Sequence, residues 1–495
     1  MKKIVITYLF YFIYFYSKAQ GEANIWYFGT NAGIDFSNNE PVVLTNGKLS
    51  TTEGCATMSD ANGNLLFYTN GVDIWNKEHT LMTNGTGLLG HLSSTQSGVI
   101  VQKPKDKNLY YIFTVDVADS NNGLSYSIVD ISLEEGKGKV IEKNVQLIAP
   151  TAEKVTAIRH KDNNSVWVIT HKWGNDEYFA YLLTEKGVQN SPVISAIGEI
   201  QGMESDNSIG YMKASSDGKK LAVAIKGKSL FELFNFDNLT GKITNPIALK
   251  AEEGELAYGV EFSSDNTKLY GTTGSSFNIY QFDLKAENIN KTREVIGKTQ
   301  SWAGALQMAP NGKIYISEYA YSYLGCIEHP NKKGLASTFI RNAIDLKGKK
   351  CQLGLPTFVQ TYFDDLENLQ KINAESGKKI KIGEVFVKTI LFDFNQFVIK
   401  PEYYATLDEL VEYLKSSENT KIDIAGHTDS DGTDQGNLLL SQNRSKAVAA
   451  YIITKGINKS RINFKGYGKT KPILPNTTLE NKAKNRRIEF ILIKS

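Results

Sequence analysis

The sequence predicts a multidomain protein, an all-β propeller of seven blades followed by a small α/β domain of the βαβαβ type. Three observations lead there. A phrase built of an apolar run, a polar turn and a second apolar run recurs six times between residues 53 and 316. Beyond residue 385 the apolar spacing switches between strand and helix periods, segment by segment. And 495 residues exceed one ordinary domain. Hydrophobic residues at 41% and charged residues at 22% mark a folded globular chain. The 25 tyrosines and 41 glycines favour short strands and turns. A net charge of +3, with no Lys/Arg run interleaved with aromatics, argues against a nucleic-acid partner.

Taken from the start, "MKKIVITYLFYFIYFYSKAQ" has two lysines, an apolar core from Ile4 to Tyr16 and small residues at Ser17 and Ala19. That is the pattern of a cleaved signal peptide, residues 1–19. The expected mature chain begins at Gln20, has no transmembrane segment and works outside the cytoplasm. No cysteine precedes Cys55, so no lipobox is expected. Cys55, Cys326 and Cys351 allow one disulfide, and Cys326–Cys351 is the preferred pair as the nearest in sequence.

The repeated phrases are "ATMSDANGNLLFYT", "VQKPKDKNLYYIFT", "IRHKDNNSVWVIT", "MKASSDGKKLAVA", "EFSSDNTKLYGT" and "QMAPNGKIYIS". Aligned on Asn62, Asp106, Asp162, Asp217, Asp265 and Asn311 they step by 44, 56, 55, 48 and 46 residues, the length of a propeller blade. Third strands such as "LFELFNF" follow. The two ends are expected to complete a seventh blade. "GLPTFVQTYF" (354–363) would supply its innermost strand, and "NIWYFGTNAGIDFSNNEPVVL" its other three. A pair of β-sandwiches is the competing fold. No two of the six histidines are two to five residues apart, which argues against a His-only metal site, and no catalytic motif stands out. Neither a cofactor nor an enzymatic activity is expected. "IWYFGTNAGIDF", "TEGCATMSDANGNLLFYTNGVDIWN" and "GLPTFVQTYF" resemble the propeller-like N-terminal region of Bacteroidota cell-envelope proteins, including proteins of gliding and type IX secretion.

The stretch 364–384 is charged and reads as a linker. Residues 385–495 alternate strand and helix patterns, and carry 17 Lys+Arg against 12 Asp+Glu, a net +5. Within "GHTDSDG" an EF-hand loop counted from Asp429 would need a glycine and a glutamate where Asp434 and Leu440 stand, so calcium is not the ligand. Asp431 and Asp434 are expected to cap the next helix. Asp429 ends the strand "KIDIAGHT" and Arg444 lies on the helix returning over it. A fixed anion beside a fixed guanidinium, a few ångströms apart in an open pocket, suits a zwitterion with ammonium and carboxylate on one carbon.

"FDFN", "IKPE", "GHTDSDG", "NLLLSQNRSKAV", "GYGKTKP" and "AKNRRIEF", in this order, resemble the OmpA-like peptidoglycan-binding domain. The resemblance implies that Asp429 and Arg444 hold the amine and carboxylate of stem-peptide diaminopimelate, with Asn395 and Asn437 adding hydrogen bonds. Thr428, Arg486 and Arg487 are supporting candidates. Together these imply a non-enzymatic periplasmic protein, peptidoglycan- or outer-membrane-associated, that anchors to the wall and presents its propeller to an envelope protein. The alternatives are a wall-tethered propeller hydrolase and a glycan-binding sensor.

Overall fold

A computed structural model describes residues 21–364 apart from 39 and 119, residues 385–386, 392, 396–397 and 399, and residues 403–494 apart from 418–419, 474–475, 478–480 and 483–484. The expected leader 1–19 and, beyond Asp364, the expected linker lie outside the described residues. Two compact units result, one within residues 18–368 and one within 369–495.

The N-terminal unit is all β, in seven sheets. Sheet 1 is Ile25–Phe28, Ala32–Asp35 and Val42–Leu44; sheet 2 is Ala56–Ser59, Leu65–Thr69 and Ile74–Asn76. Sheet 3 is Gly98–Gln102, Leu109–Val115, Leu124–Asp130 and Lys139–Ile148. Sheet 4 is Thr151–Arg159, Val166–Lys172 and Asn175–Thr184, whose last strand pairs with both Gly187–Val188 and Val193–Gln201. Sheet 5 is Met212–Ala214, Lys220–Ile225, Leu230–Asp237 and Lys242–Lys250. Sheet 6 is Ala257–Phe262, Lys268–Thr273, Asn278–Asp283 and Glu294–Lys298, and sheet 7 is Ala303–Met308, Ile314–Glu318, Tyr323–Ile327 and Phe339–Asp345. Each is an open antiparallel sheet with its strands neighbouring in chain order, except that Val193–Gln201 of sheet 4 pairs back on Asn175–Thr184. First strands such as Ala257–Phe262 and Ala303–Met308 are buried throughout, whereas last strands such as Lys242–Lys250 are mostly exposed. First strands of consecutive sheets touch. Sheet 7 meets sheet 1 where Tyr315 sets its ring edge on Trp26, centroids 6.0 Å apart.

All six repeated phrases are the hairpin between the first and second strand of a sheet, from sheet 2 to sheet 7. Their shared chemistry is an Asx turn, in which a side-chain oxygen accepts the backbone N–H two residues on. Asp106 accepts from Asn108 (3.0 Å), Asp162 from Asn164 (2.8 Å), Asp217 from Lys219 (3.1 Å), Asp265 from Thr267 (3.0 Å) and Asn311 from Lys313 (3.2 Å). Sheet 2 uses Asp60 instead, which accepts from Asn62 and Asn64 at 2.9 Å.

The seventh unit differs from expectation. Residues 354–363 add no strand to sheet 1. They form a strap across the first strands of several sheets, with single parallel bridges from Pro356 to Cys55 and from Val359 to Ala157. The Leu353 N–H donates to Thr52 (2.9 Å), the Leu353 carbonyl accepts from Ala305 (2.7 Å) and the Arg159 N–H donates to Thr361 Oγ1 (3.2 Å). A 3₁₀ turn, Gln360–Phe363, ends it. The sequence Leu-Pro-Thr-Phe-Val places bulky side chains on every side, so it is buried all round and has no edge free for a ladder. Leu355, Phe358 and Val359 are each 1% exposed.

The expected disulfide is also absent: all three cysteines are free and buried. Cys351 Sγ lies among the carbonyls of Glu318 (3.0 Å), Tyr321 and Tyr323 (both 3.2 Å), which satisfy the thiol where it stands. Burial pushes the thiols of Cys326 and Cys351 up to about 12, so neither is a ready nucleophile for oxidation. The native chain should therefore leave a thiol reagent unreacted and should titrate three thiols once unfolded without reductant; a single reactive thiol would show the disulfide instead.

The C-terminal unit is a four-stranded sheet in the order Val385–Phe386, Ile488–Lys494, Thr420–Gly426, Ile462–Gly466, with helices α1 (Tyr404–Ser416) and α2 (Asp434–Thr454). Thr420–Gly426 and Ile462–Gly466 run parallel, joined through α2. Leu407, Leu410, Val411 and Leu414 of α1 pack with Ile422, Ile424, Phe490 and Leu492 of the sheet and Val448 and Ile452 of α2. Glycines let α2 come close: a Cβ on Gly426 would lie 2.3 Å from the Ser441 carbonyl, and one on Gly466 2.4 Å from the Gln442 nitrogen. Thr433 Oγ1, accepting from Gly436 N at 3.1 Å, caps α2. Of the two aspartates expected there, Asp434 is the first residue of α2 and places its charge in the first turn, while Asp431 lies outside the helix and pairs with Lys482. Among the described residues no helix is long and apolar enough to cross a membrane.

Candidate ligand-binding site of the C-terminal unit

The close approach of α2 fixes where the two expected ligand groups meet. Asp429 follows the strand Thr420–Gly426 through His427 and Thr428, and Arg444 projects from the α2 turn that starts on the Ser441 carbonyl over Gly426. Their charges feel one another, since Asp429 raises the Arg444 guanidinium's proton affinity. They are not, however, an open clasp. Asp429 is 4% exposed and Arg444 fully buried. Arg444 Nε donates to the Gln396 carbonyl at 2.9 Å, and its guanidinium lies over the Phe392 ring, 5.0 Å from the centroid. Burial, and then the nearby Arg486 charge, lower its pKa to about 10. Asp429 Oδ2 accepts from Arg486 NH1 at 2.6 Å, and Oδ1 from the Asp431 N–H at 3.1 Å.

Each aspartate of the loop 429–434 is paired with a cation from the segment 469–486. Asp429 has Arg486, Asp431 has Lys482 (2.6 Å) and Asp434 has Lys469 (2.8 Å). Lys469 also donates to the Gly432 carbonyl at 3.3 Å. That ladder was hidden from residue-by-residue reading, but a signal existed: residues 451–495 hold 11 Lys+Arg and 2 Asp+Glu, directly after an acidic loop.

The supporting residues divide. Thr428 donates its N–H to Gly468 (3.0 Å) and its hydroxyl to the Asp429 carbonyl (3.0 Å), fixing the loop's departure. Asn437, on the first turn of α2, donates Nδ2 to the Asp431 carbonyl at 2.8 Å and so braces the same loop. Asn395 lies outside the described residues. Arg486 sits on Asp429, while Arg487, 2% exposed, donates to Glu489 (2.7 Å) and the Lys471 carbonyl (3.2 Å) and ties strand to loop. His427 stacks on Tyr467 and faces Glu489 at 3.3 Å.

Burial opposes ionisation of Glu489, but hydrogen bonds from His427 and Arg487 hold its pKa down to about 2. A depressed carboxylate stabilises the fold above its unfolded pKa of about 4.3, and that stability is lost as pH falls toward the folded value. Glu489→Gln should therefore lower the urea midpoint at pH 7, with the gap to the parent chain closing between pH 4 and pH 2.

Residues 391–486 match the OmpA family. Over 161 residues the chain is 32% identical to the peptidoglycan-associated lipoprotein of Buchnera aphidicola subsp. Baizongia pistaciae, covering 32% of this chain and 84% of that protein. The chain belongs to the OmpA family. Outer membrane protein A of Bordetella avium is 39% identical over 111 residues, 22% of this chain and 57% of the Bordetella protein, so little more than half of that relative is spanned. The crystal structure of the peptidoglycan-associated lipoprotein from Burkholderia pseudomallei matches at 31% identity, covering 21% of this chain and 89% of that one, with a TM-score of 0.21. The OmpA-family match lies within the C-terminal unit, and the ladder closes on Asp429 inside it.

Proposed function

We propose that the chain is a non-enzymatic periplasmic protein anchored to peptidoglycan by its OmpA-family domain, which clasps stem-peptide diaminopimelate, and that its N-terminal unit is a seven-bladed propeller presented to another envelope protein. The observation that carries the reading is what Asp429 and Arg444 hold. A cation, Arg486, sits on the carboxylate, and an acceptor, the Gln396 carbonyl, sits on the guanidinium. These are the two polarities of an amino-acid head group, supplied by the chain itself. A ligand ammonium replaces Arg486 on Asp429, and the ligand carboxylate replaces the carbonyl and takes the guanidinium fork. The Buchnera relative, named for peptidoglycan association and matched over 84% of its length, supports the choice of polymer.

Arg486 is then a competitor rather than a ligand. Its side chain is 26% exposed, and such pairs contribute about 0.2–1 kcal/mol. Arg486→Gln should tighten binding of a diaminopimelate stem peptide about two- to fivefold in calorimetry; weaker binding would make Arg486 part of the grip. Each contact is modest, and a repeating polymer turns modest contacts into retention.

The propeller reading is supported by seven open sheets touching in chain order, by buried first strands and by the contact of sheet 7 with sheet 1. Membership of a gliding or type IX secretion assembly rests on the sequence phrases alone. The anchor is tested by co-sedimenting the full chain with purified diaminopimelate-type sacculi. Pelleting that free meso-diaminopimelate reverses supports it, and failure to pellet removes it.

A further inference from the structure

The strap enters over a pair of buried carboxyl groups that wall anchoring leaves unused. Glu53 lies just before sheet 2 and Glu153 on the first strand of sheet 4, 7% and 5% exposed. The chain at the strap's entry holds the backbone on both sides of Glu53. The N–H of Leu353, just before the strap, donates to the Thr52 carbonyl, and the Thr357 N–H donates to the Cys55 carbonyl, both at 2.9 Å. Between them Gly354 rests on the Glu53 backbone so closely that a Cβ there would overlap the Glu53 carbonyl. A shift of Glu53 therefore parts the strap from sheet 2.

Thr95 joins the two carboxyl groups. Its N–H and hydroxyl donate to Glu153 Oε2 at 3.2 and 3.4 Å, and its side chain also hydrogen-bonds Glu53. A hydroxyl has one proton to give. With that proton on Glu153, Thr95 can only accept from Glu53, so the proton of the second bond sits on Glu53. The other groups facing the pair come from four elements. Tyr258, on the first strand of sheet 6, bonds Glu53, and Tyr211, just before sheet 5, feels its charge. The Ser208 hydroxyl donates to Glu153 Oε1 at 3.3 Å. The two cations have other partners: Lys226 pairs with Asp206 at 2.9 Å and lies over the Trp302 ring, and Lys154, which acts on Glu153, donates to the Ser208 carbonyl.

A second negative charge in this place is therefore costly. Burial, and then the Glu153 charge, push the Glu53 carboxyl up to about 8, and burial raises Glu153 as well. A raised carboxyl favours the closed fold fully below its unfolded pKa of about 4.3, and that advantage is lost as pH rises to the folded value.

We propose that Glu53 and Glu153 share one proton through Thr95 and that its loss to water in alkaline solution loosens the strap, so that the cluster is a pH-sensitive latch on the N-terminal unit. The test is hydrogen-exchange mass spectrometry of the full-length chain, corrected for intrinsic exchange rates, reading the amides of residues 353–363 at pH 6 and pH 9 in the parent, Glu53→Gln and Glu153→Gln. Glutamine keeps the shape of the protonated acid and cannot ionise. Protection in the parent should fall tenfold or more relative to Glu53→Gln between the two pH values, and Glu153→Gln, which removes the neighbouring charge, should show a smaller fall than the parent. Lys154, whose burial lowers its pKa to about 7, titrates in the same window in all three chains, so the difference between chains is the readout. An equal response in the parent and Glu53→Gln would overturn the latch. Should Glu53→Gln fail to fold, an undiminished fall in Glu153→Gln overturns it alone.

Discussion

Asp429→Asn should release the chain from diaminopimelate-type sacculi, lowering the pelleted fraction at least tenfold at equal protein. The substitution keeps shape and size and removes one charge. A charge-assisted hydrogen bond contributes about 1.5–3 kcal/mol, which corresponds to roughly ten- to 150-fold in affinity. Asparagine can still accept the Asp431 N–H that now bonds Oδ1 at 3.1 Å, so the loop keeps its internal brace, and Arg486 loses a partner it meets at a partly exposed surface. Folding should therefore survive and binding should not. Arg444→Ala is a less clean probe, because Arg444 is buried against Phe392 and its removal also opens a void. An Asp429→Asn chain that pellets like the parent would show the carboxylate to be a structural partner of Arg486 alone.

The second large effect belongs to the strap. Phe358→Ala should destabilise the N-terminal unit by about 3–5 kcal/mol, the range for a buried phenylalanine. Phe358 is 1% exposed and packs its ring on Trp26 of sheet 1 (6.1 Å) and on Phe363 (5.9 Å). The strap, with Leu353 just before it, also hydrogen-bonds to Thr52, Ala305 and Arg159, which belong to or adjoin sheets 2, 7 and 4. One segment thus holds several sheets, and loss of its anchor should lower the urea midpoint of the whole N-terminal unit in one cooperative step. A separate early transition, with the remaining sheets unmoved, would mean the strap only lies over them.

The sequence made the hairpins legible because their turns are local. An aspartate or asparagine accepting an N–H two residues on needs no distant partner, and five of six aligned positions do so. The strap was misread because its run of apolar residues is what a buried strand also shows; only its neighbours, far off in sequence, decide that it bridges rather than pairs. Nearness in sequence likewise suggested Cys326–Cys351, whereas the carbonyls around Cys351 sit on another strand and its turn. In the C-terminal unit, motif order placed Asp429 and Arg444 on the right elements. It missed that Arg486 and the Gln396 carbonyl occupy them, since those contacts span 57 and 48 residues.

The central claim is that a carboxylate and a guanidinium together read both charges of one amino-acid head group. Calorimetric titration of the full-length chain with two stem peptides, identical except for meso-diaminopimelate or L-lysine at the third position, tests it most directly. Lysine keeps the ammonium and lacks the carboxylate, so the diaminopimelate peptide should bind about tenfold or more tightly, and Asp429→Asn, which removes the partner of the ammonium both peptides carry, should weaken both. Equal affinity for the two peptides, or heat from neither, would contradict the account.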